Sequence, residues 1–181
     1  GAVVSNADIN ISNSSFIDNN GTAEAAGAIM IANGTLNIEN STLVGNYAGS
    51  VGGGAIGGMY GATLNLKNNI FYNNTTAAAT GNHITYWTEE EAAPTVISHG
   101  YNFFNDDMAN TLIQTAGTDD IFNISLDPKL GTLTQDSDNI TWGYPLLSDS
   151  PLIDAGSCTD ISMATITSDQ FGNSRPSGSS C

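Results

Sequence analysis

The sequence predicts an all-β protein folded as a parallel β-helix, a solenoid with about 27–28 residues per coil. Two observations support this fold class. A segment recurs at offsets of 27 and then 28 residues, and apolar and polar residues alternate inside each copy. Alternation is the pattern of a half-buried strand, and a repeat of this length holds about three short strands, which make one coil.

The first set of matches predicts three apolar columns in the core. The aligned segments are Ile9–Phe16, Leu36–Leu43 and Leu64–Phe71. Because neighbouring parallel strands lie about 4.8 Å apart, each residue is expected to lie over its counterpart in the next coil. The predicted columns are Ile9/Leu36/Leu64, Ile11/Ile38/Leu66 and Phe16/Leu43/Phe71.

A second set of matches keeps the same offsets and adds another strand to each coil. It contains Ala28-Ile29, Ala55-Ile56 and His83-Ile84, with Ala2-Val3 in the same slot one turn earlier. Glycines precede two of these strands, as Gly27 and Gly52–Gly54, which is typical of turns. Chance repetition in an Asn- and Gly-rich chain does not explain several registers that share the same offsets.

Asparagine recurs at the corners between these strands. It tolerates a left-handed backbone, and its side-chain amide can bond to the amide one coil away. The same register places Glu39 beside Lys67 as a solvent-exposed pair of little energetic weight. The predicted polar ladders are Asn10/Asn37/Asn65, Asn13/Asn40/Asn68 and Asn19/Asn46/Asn74.

The repeat divides the chain into two parts of one domain. Residues 1–104 are predicted to form the β-helix coils, with Val96–Phe104 as one more coil of different turn chemistry. Residues 105–181 are predicted to continue and cap the same domain irregularly, with Ile121–Ile124 and Leu146-Leu147 as further rungs. Glu89–Glu91 is expected in an outward, solvated loop.

The charge balance excludes several classes of partner. The chain has 18 acidic and 3 basic residues, a formal net charge of −15 and a pI near 4.1. Nucleic-acid binding needs clustered lysines and arginines, so no nucleic-acid partner is expected. No apolar run reaches the roughly 18 residues of a membrane-spanning helix. Residue 1 begins no signal peptide, so we expect any targeting segment to have been removed.

The two cysteines, Cys158 and Cys181, lie near the end of the chain. They are either two free thiols or one disulfide, and the polar, loop-like segment between them favours the disulfide. Closing a loop of about 20 residues would stabilise the fold by roughly 3 kcal/mol and would indicate an oxidising, extracellular setting.

Asn-x-Ser/Thr sequons are candidate N-glycosylation sites, which carry glycan only in an organism that modifies asparagine. The sequence contains nine, at Asn10, Asn13, Asn20, Asn33, Asn40, Asn73, Asn74, Asn123 and Asn139.

Several segments together resemble bacterial surface proteins. Asn40–Asn46 and Gly53–Ile56 are similar to the repeat of polymorphic outer-membrane proteins and related adhesins. The C-terminal third is similar to the terminal region of surface proteins that carry a choice-of-anchor Q domain. The matching C-terminal pieces are Ser98–Asn102, Asp127–Gly131, Asp149–Gly156 and Asp169–Pro176 before Cys181.

The resemblance implies a right-handed parallel β-helix that is secreted and displayed at the cell surface. It also implies that Cys158 pairs with Cys181, so that a disulfide closes the irregular C-terminal region. It carries no established catalytic residues. Relatives usually continue past the position of Cys181 with a short strand and a sorting signal, so we expect this chain to be a portion of a longer protein.

An enzyme is the main alternative, because parallel β-helices also serve as polygalacturonases and polysaccharide lyases. A hydrolase of this kind needs paired carboxylates, and the sequence offers Asp106-Asp107 and Asp119-Asp120. The Asn-Thr-Asp triplet and Arg-Ile-Lys segment of a polygalacturonase are missing, so we interpret these aspartates as loop residues. A lyase needs an Arg or Lys base near a metal, whereas Lys67, Lys129 and Arg175 are scattered.

Few residues have the pattern of a metal or ligand site. No Cys/His set has zinc spacing, and His83 and His99 are interpreted as turn residues. Calcium prefers oxygen ligands, and Asp136, Asp138 and Asn139 offer them at neighbouring positions, as either a calcium loop or a polar turn. The candidates for stacking on sugars, or for covering an open core, are Tyr86, Trp87 and Trp142.

The sequence therefore predicts a non-enzymatic extracellular surface module: an adhesin, a stalk or a self-assembling fibre subunit. No cap precedes the strand at Ala2-Val3, so an upstream segment or another subunit is expected to cover this edge of the β-helix. The expected partners are host or cell-surface glycans and other copies stacked head to tail. The alternative is a carbohydrate-binding or carbohydrate-cleaving β-helix enzyme that uses Asp106, Asp107, Asp119 or Asp120.

Overall fold

The computed structural model describes residues 2–22, 26–49, 52–77, 83–86, 92–106, 113–115, 117–137 and 140–175. Within these ranges the protein is all-β, with eighteen short strands and no helix. Nearly all of the strand pairs are parallel. The predicted all-β class and the parallel stacking of strands are confirmed.

The strands follow the predicted repeat along the chain. The first coil contains β1 (Val3–Ser5), β2 (Ile9–Ser12), β3 (Ser15–Ile17) and β4 (Asn20–Gly21). The second contains β5 (Ile29–Ile31), β6 (Thr35–Glu39), β7 (Thr42–Val44) and β8 (Tyr47–Ala48). The third contains β9 (Ile56–Gly58), β10 (Thr63–Lys67), β11 (Ile70–Tyr72) and β12 (Thr75–Thr76). The remaining strands are β13 (Ile84–Tyr86), β14 (Thr95–Ser98), β15 (Phe103–Phe104), β16 (Ile121–Phe122), β17 (Thr134–Gln135) and β18 (Trp142–Gly143).

Equivalent strands of successive coils pair side by side, which is the arrangement of a β-solenoid. The sheet orders are β1-β5-β9-β13, β2-β6-β10-β14, β3-β7-β11-β15-β16 and β4-β8-β12. The sequence predicted about three strands per coil, and the structure has four in the first three coils. The fourth strand is only two residues long, which is too short for alternation to reveal it.

The predicted apolar columns are confirmed in register. Ile9 pairs with Leu36, and Leu36 pairs with Leu64. The columns through Ile38 and Leu43 follow the same rule, and all of these second-coil residues are fully buried. The slot of Ala2-Val3 is confirmed as well, because Val3 of β1 pairs with Ile29 of β5.

An aromatic stack extends the phenylalanine column beyond the repeat. The rings of Phe71 and Phe104 lie 4.7 Å apart, and those of Phe104 and Phe122 lie 5.0 Å apart, both nearly parallel. Stacked aromatic pairs contribute about 0.5–1.5 kcal/mol beyond the burial of their surface. The stack therefore holds the later coils together where the sequence repeat has faded.

The glycines before the strands are required by close packing of the coils. A Cβ atom at Gly53 would lie 2.7 Å from the backbone nitrogen of Thr85 and 2.8 Å from the backbone oxygen of His83. At Gly27 it would lie 2.8 Å from the backbone of Tyr47. A side chain at either position would force neighbouring backbone apart.

The later coils change length, which is why the repeat fades. Asn69 bonds to Asn102, 33 residues on, and Asn102 bonds to Asp120, 18 residues on. The predicted coil at Val96–Phe104 is present as β14 and β15, and β16 supplies the predicted further rung. The prediction that Leu146-Leu147 forms a rung was wrong, because Leu146 makes an isolated antiparallel bridge with Leu130.

The C-terminal part runs back along the outside of the coils. We call residues 152–175 the strap. The amide nitrogen of Ser157 donates to Asn68 Oδ1 of the third coil, and that of Ile161 donates to Glu39 Oε2 of the second. Ser15 of the first coil donates to Gln170 Oε1. The strap thus crosses three coils from the third back to the first.

The strap overturns the prediction that Glu39 and Lys67 form an exposed pair. Lys67 does lie beside Glu39 in the ladder, but it is only 4% exposed. Its Nζ donates to Thr159 Oγ1 at 3.1 Å and to the backbone oxygen of Asp160 at 2.9 Å. Both charged side chains therefore bind the strap, which no local pattern could reveal.

The cysteines are only partly described. No cysteine in the described residues is a free thiol. Cys181 lies outside the described residues, so its pairing with Cys158 stays a prediction. Glu89–Glu91 also lies outside them. The described residues contain no helix that is long and apolar enough to cross a membrane.

Candidate functional site

One corner of the solenoid has the same backbone conformation in five successive coils. Asn13, Asn40, Asn68, Tyr101 and Asp119 occupy this corner, with φ angles of 48°, 51°, 56°, 62° and 59°. Asparagine and aspartate tolerate the left-handed region, whereas a tyrosine there is unusual. The predicted Asn13/Asn40/Asn68 column thus continues as Tyr101 and Asp119, both of which line the groove described below.

The next position inward is a polar ladder that the sequence analysis missed. Each backbone nitrogen donates to the side chain one coil further on, from Ser14 through Asn102. The ladder ends at Asp120, whose Oδ1 accepts both the backbone and the side-chain nitrogen of Asn102. The residue type changes along the ladder, so identity matching could not find it. Its members are Ser14, Ser41, Asn69, Asn102 and Asp120.

The outward positions after this ladder change from polar to apolar. In the first two coils they are Ser15 and Thr42, and in the later coils they are Ile70, Phe103 and Ile121. Outward positions on a solenoid normally face water and are polar. An apolar strip here indicates that something covers it.

The strap covers this strip incompletely and leaves a groove. The groove has a volume of about 570 Å³. Its floor is the apolar strip, in which Ile70 and Ile121 are partly exposed and Phe103 is only 2% exposed. Leu146, Leu152 and Ile153 also line it. A volume of this size lies within the usual range of small-molecule sites.

Polar groups line both rims of the groove. Asn68, Tyr101 and Asp119 stand on the coil corner, and Asp154 and Arg175 stand on the strap. The one ion pair among the described residues, Lys129–Asp149, involves none of these residues. The Lys129 ammonium donates to Asp149 and lowers the pKa of that carboxyl. Arg175 therefore lines the groove without an ion-pair partner in the described part of the chain.

Not every acid at the groove is available for a ligand. Asp169 also lines it, but its Oδ1 accepts the backbone nitrogens of Phe171 and Asn173, and its Oδ2 accepts Asn173 Nδ2. Asp169 therefore stabilises a turn of the strap. Asp119 and Asp154 are exposed and have left-handed backbones at the two rims, so their carboxylates are the better ligand groups.

The three described aspartates of the enzyme alternative have different surroundings. Asp120 accepts Asn102 and, through Oδ2, the backbone nitrogen of Gly117, so its oxygens cap the ladder. Asp106 is buried, at 3% exposed, and does not line the groove. Asp119 does line it, and Asp107 lies outside the described residues.

The candidate calcium ligands are only partly described. Asp136 Oδ1 accepts the backbone nitrogen of Ile140, and Oδ2 accepts that of Thr141, as in a polar turn. Asp138 and Asn139 lie outside the described residues, so the calcium loop stays a prediction. Among the described residues, no group of three His, Cys, Asp or Glu side chains has metal-binding geometry.

The aromatic candidates and histidines do not form one site. Trp142 is half-exposed on β18 and does not line the groove. Tyr86 lies in β13, and Trp87 lies outside the described residues. His99 is exposed and contacts the side chain of Asn65, which extends the predicted Asn10/Asn37/Asn65 ladder. His83 is buried in the core and is not a turn residue on the surface.

The sequons differ in accessibility. Asn20, Asn33, Asn73 and Asn123 are exposed, and so is Asn10, which accepts a bond from Asn37. Asn13 and Asn40 are partly buried at the corner, and Asn139 lies outside the described residues. Asn74 is buried and its Nδ2 donates to the backbone oxygen of Leu43, so a glycan on that nitrogen would break the bond. We expect any glycan at the exposed sequons.

Comparisons with known proteins add no identification. No family model, curated protein or solved structure matches this chain. The resemblance to choice-of-anchor Q and outer-membrane repeat proteins therefore stays an expectation. The groove, with an apolar floor and polar rims, can bind a small amphipathic group.

Proposed function

We propose that this chain is a non-enzymatic surface module, an adhesin or stalk segment, in which a stiff right-handed β-helix displays the groove outside the cell. Cys158 and Cys181 form a disulfide that holds the end of the strap. The single observation that carries the proposal is that the strap roofs a groove on a scaffold whose coils are held in register by side-chain ladders.

Rigidity of the coils supports a display role. Asn46 accepts the backbone and side-chain nitrogens of Asn19, while its own backbone and side-chain nitrogens donate to Asn74. Buried amide networks that are fully bonded fix one arrangement of the backbone. A binding site on such a scaffold loses little conformational entropy when it engages a partner.

The use of the carboxylates supports binding rather than cleavage. A glycosidase needs two carboxyl groups facing each other across the bond that is cut. In this chain Asp136 and Asp169 accept backbone nitrogens that fix turns, and Asp120 accepts the backbone nitrogens of Asn102 in the ladder and of Gly117. The net charge of −15 would also repel anionic polysaccharides such as pectate.

The test is incubation of the purified protein with neutral and anionic polysaccharides, followed by mass spectrometry of the soluble products. We expect no products, together with retention of the protein on a glycan-coated surface. New oligosaccharides that disappear in an Asp119→Asn variant would contradict the proposal and favour the enzyme alternative.

Assembly is tested separately on the native secreted material. Light scattering and negative-stain imaging at rising concentration distinguish a single module from a fibre. Filaments would indicate that the coils of neighbouring copies stack head to tail, whereas a monomer at micromolar concentrations would leave an adhesin or stalk segment. Intact mass of the same sample shows which candidate sequons carry glycan.

A further inference from the structure

We propose that the groove beneath the strap binds one neutral pyranose unit of a glycan. This inference deepens the proposed function and rests on it, because it names the ligand class of the same groove. The floor, the rims and the charge of the groove each point to this ligand.

The floor fits the apolar face of a sugar ring. Ile70, Phe103 and Ile121 come from three successive coils at the same position. Phe103 is only 2% exposed, so the partly exposed Ile70 and Ile121 on either side of it supply the apolar surface. A pyranose presents a face of C–H groups that packs on such a surface. Tyr101 lies at the corner next to this strip and adds an aromatic face with a hydroxyl group.

The rims fit the hydroxyl groups that surround the ring. Each sugar hydroxyl both donates and accepts a hydrogen bond. The carboxylates of Asp119 and Asp154 only accept, and the guanidinium of Arg175 only donates. Adjacent hydroxyls can therefore bond to a carboxylate on one side and to the guanidinium on the other, and such charge-assisted bonds are strong.

The charge of the groove selects against anionic sugars. Asp119, Asp154 and Arg175 line the groove, so two carboxylates stand against one guanidinium, on a chain whose net charge is −15. A uronate or sialate would meet repulsion from both rims and from the whole molecule. A neutral hexose, deoxyhexose or N-acetylhexosamine keeps the hydroxyl bonds without this penalty.

The experiment measures binding of single sugars by saturation-transfer NMR, with titration for affinity. The probes are the methyl glycosides of glucose, galactose, mannose, fucose and N-acetylglucosamine, with methyl glucuronide as the anionic comparator. We expect at least one neutral glycoside to bind and the glucuronide to bind at least about tenfold more weakly, as loss of one charge-assisted hydrogen bond would produce.

The variants have controls matched in backbone conformation. Asp154→Asn removes a rim carboxylate, and Asp18→Asn removes another exposed carboxylate outside the groove. Both aspartates have φ angles in the left-handed region that asparagine tolerates, at 59° and 51°. Tyr101→Asn removes the ring at the corner and restores the residue type of earlier coils. Tyr60→Asn makes the same change at φ 50°, away from the groove.

We expect Asp154→Asn and Tyr101→Asn each to weaken binding about tenfold, and both controls to leave it unchanged. Ile153→Trp, which fills the groove, should abolish binding while circular dichroism shows an unchanged fold. Absence of binding by every neutral glycoside, equal binding of the glucuronide, or binding unaffected by all three groove variants would overturn the inference. If the protein cleaves sugars but the groove variants still lose binding as expected, only the proposed function would be overturned.

Discussion

At the scale of single residues, the histidine at the end of an alanine column is the most unusual group in the core. His83 takes the slot that Ala28 and Ala55 fill in earlier coils, and it is 1% exposed. Its ring centroid lies 6.0 Å from that of Phe71 and 6.1 Å from that of Phe104. Asn74 Nδ2 lies 3.2 Å from its Nδ1, and because that amide donates, Nδ1 accepts and the ring is neutral.

This burial predicts a pH-dependent stability. Burial lowers the pKa of His83 from 6.5 to about 3, and a contact with Asn105 opposes the shift in part. Below pH 6.5 the His83 imidazole becomes protonated in the unfolded chain but stays neutral in the folded protein. The stabilisation is therefore complete above pH 6.5 and is lost as pH falls toward 3, by about 4–5 kcal/mol at most. Urea unfolding at pH 7, 5 and 4 measures this loss.

The contribution of His83 is isolated by substitution. His83→Leu fills the space without a titrating group, so its unfolding free energy should fall less between pH 7 and 4 than that of the unmodified protein. His99→Leu changes the exposed histidine and should keep the original dependence. NMR of the histidine rings at pH 5 gives a direct check, since a protonated His83 in the folded protein would contradict the prediction.

At the scale of the strand and its corner, the asparagine ladders hold the coils in register. Asn46 is fully buried and bonds to both neighbouring coils. Its Nδ2 also donates to the backbone oxygen of Phe16. Asn10 belongs to a ladder too, but it lies on the exposed face, where water can replace its bond to Asn37. Burial separates a ladder that stabilises the fold from one that contributes little.

Substitution of one ladder residue tests this difference. Asn46→Ala removes the acceptor of both Asn19 nitrogens and the donor to the partly buried backbone oxygen of Phe16, whereas Asn74 Oδ1 keeps the backbone nitrogen of residue 46. Each lost bond costs about 1 kcal/mol or more. We expect a loss of about 3 kcal/mol of unfolding free energy in urea. Asn10→Ala, the same change at the exposed ladder, should cost less than about 0.5 kcal/mol. Equal losses would show that the amide bonds between coils are not what stabilises them.

Columns that repeat one residue type at a fixed offset could be predicted from the sequence. A ladder in which different residue types take the same role could not. The columns through Leu36 and Asn46 keep their residue type at a fixed offset, so alignment alone predicted them. The ladder from Ser14 to Asp120 uses serine, asparagine and aspartate for one role, because each offers an oxygen acceptor. The offset there also changes to 33 and then 18 residues, so neither identity nor spacing survives.

The groove could not be predicted for a different reason. Its two walls are far apart in sequence, because Asn68 and Tyr101 of the coils lie opposite Asp154 and Arg175 of the strap. The sequence shows Ile70, Phe103 and Ile121 as separate apolar residues. Only the register of β11, β15 and β16 places them side by side. Long-range packing of irregular chain on a regular scaffold leaves no local periodicity.

At the scale of the whole molecule, the strap connects coils that are otherwise stacked one on the next, and it does so through polar contacts. In a solenoid each coil contacts only its neighbours, so unfolding can begin at an end. The strap joins the third coil to the first through Lys67 and Ser15. It also carries the β17–β18 hairpin, since Gln170 Nε2 donates to the backbone oxygen of Trp142. The end coils and the hairpin therefore depend on the strap.

A substitution of Lys67 is expected to weaken the attachment of the strap to the coils. Lys67→Met keeps most of the buried stem but removes the ammonium that donates to Thr159 and Asp160. Hydrogen bonds from a buried charged group are worth about 1.5–3 kcal/mol, so we expect a loss of about 2 kcal/mol in urea. Lys129→Met breaks the exposed pair with Asp149 and should cost much less, because solvent screens exposed ion pairs.

Hydrogen exchange shows where the loss falls. Segments with few buried apolar contacts open separately and before the core. In Lys67→Met the amides of Ser157 and Ile161, which bond to Asn68 and Glu39, should exchange faster. The amides of β6 and β7, inside the stack, should keep their rates. A uniform rise in all rates would mean that the strap unfolds together with the coils, and the groove would then be a fixed part of the scaffold with no opening of its own.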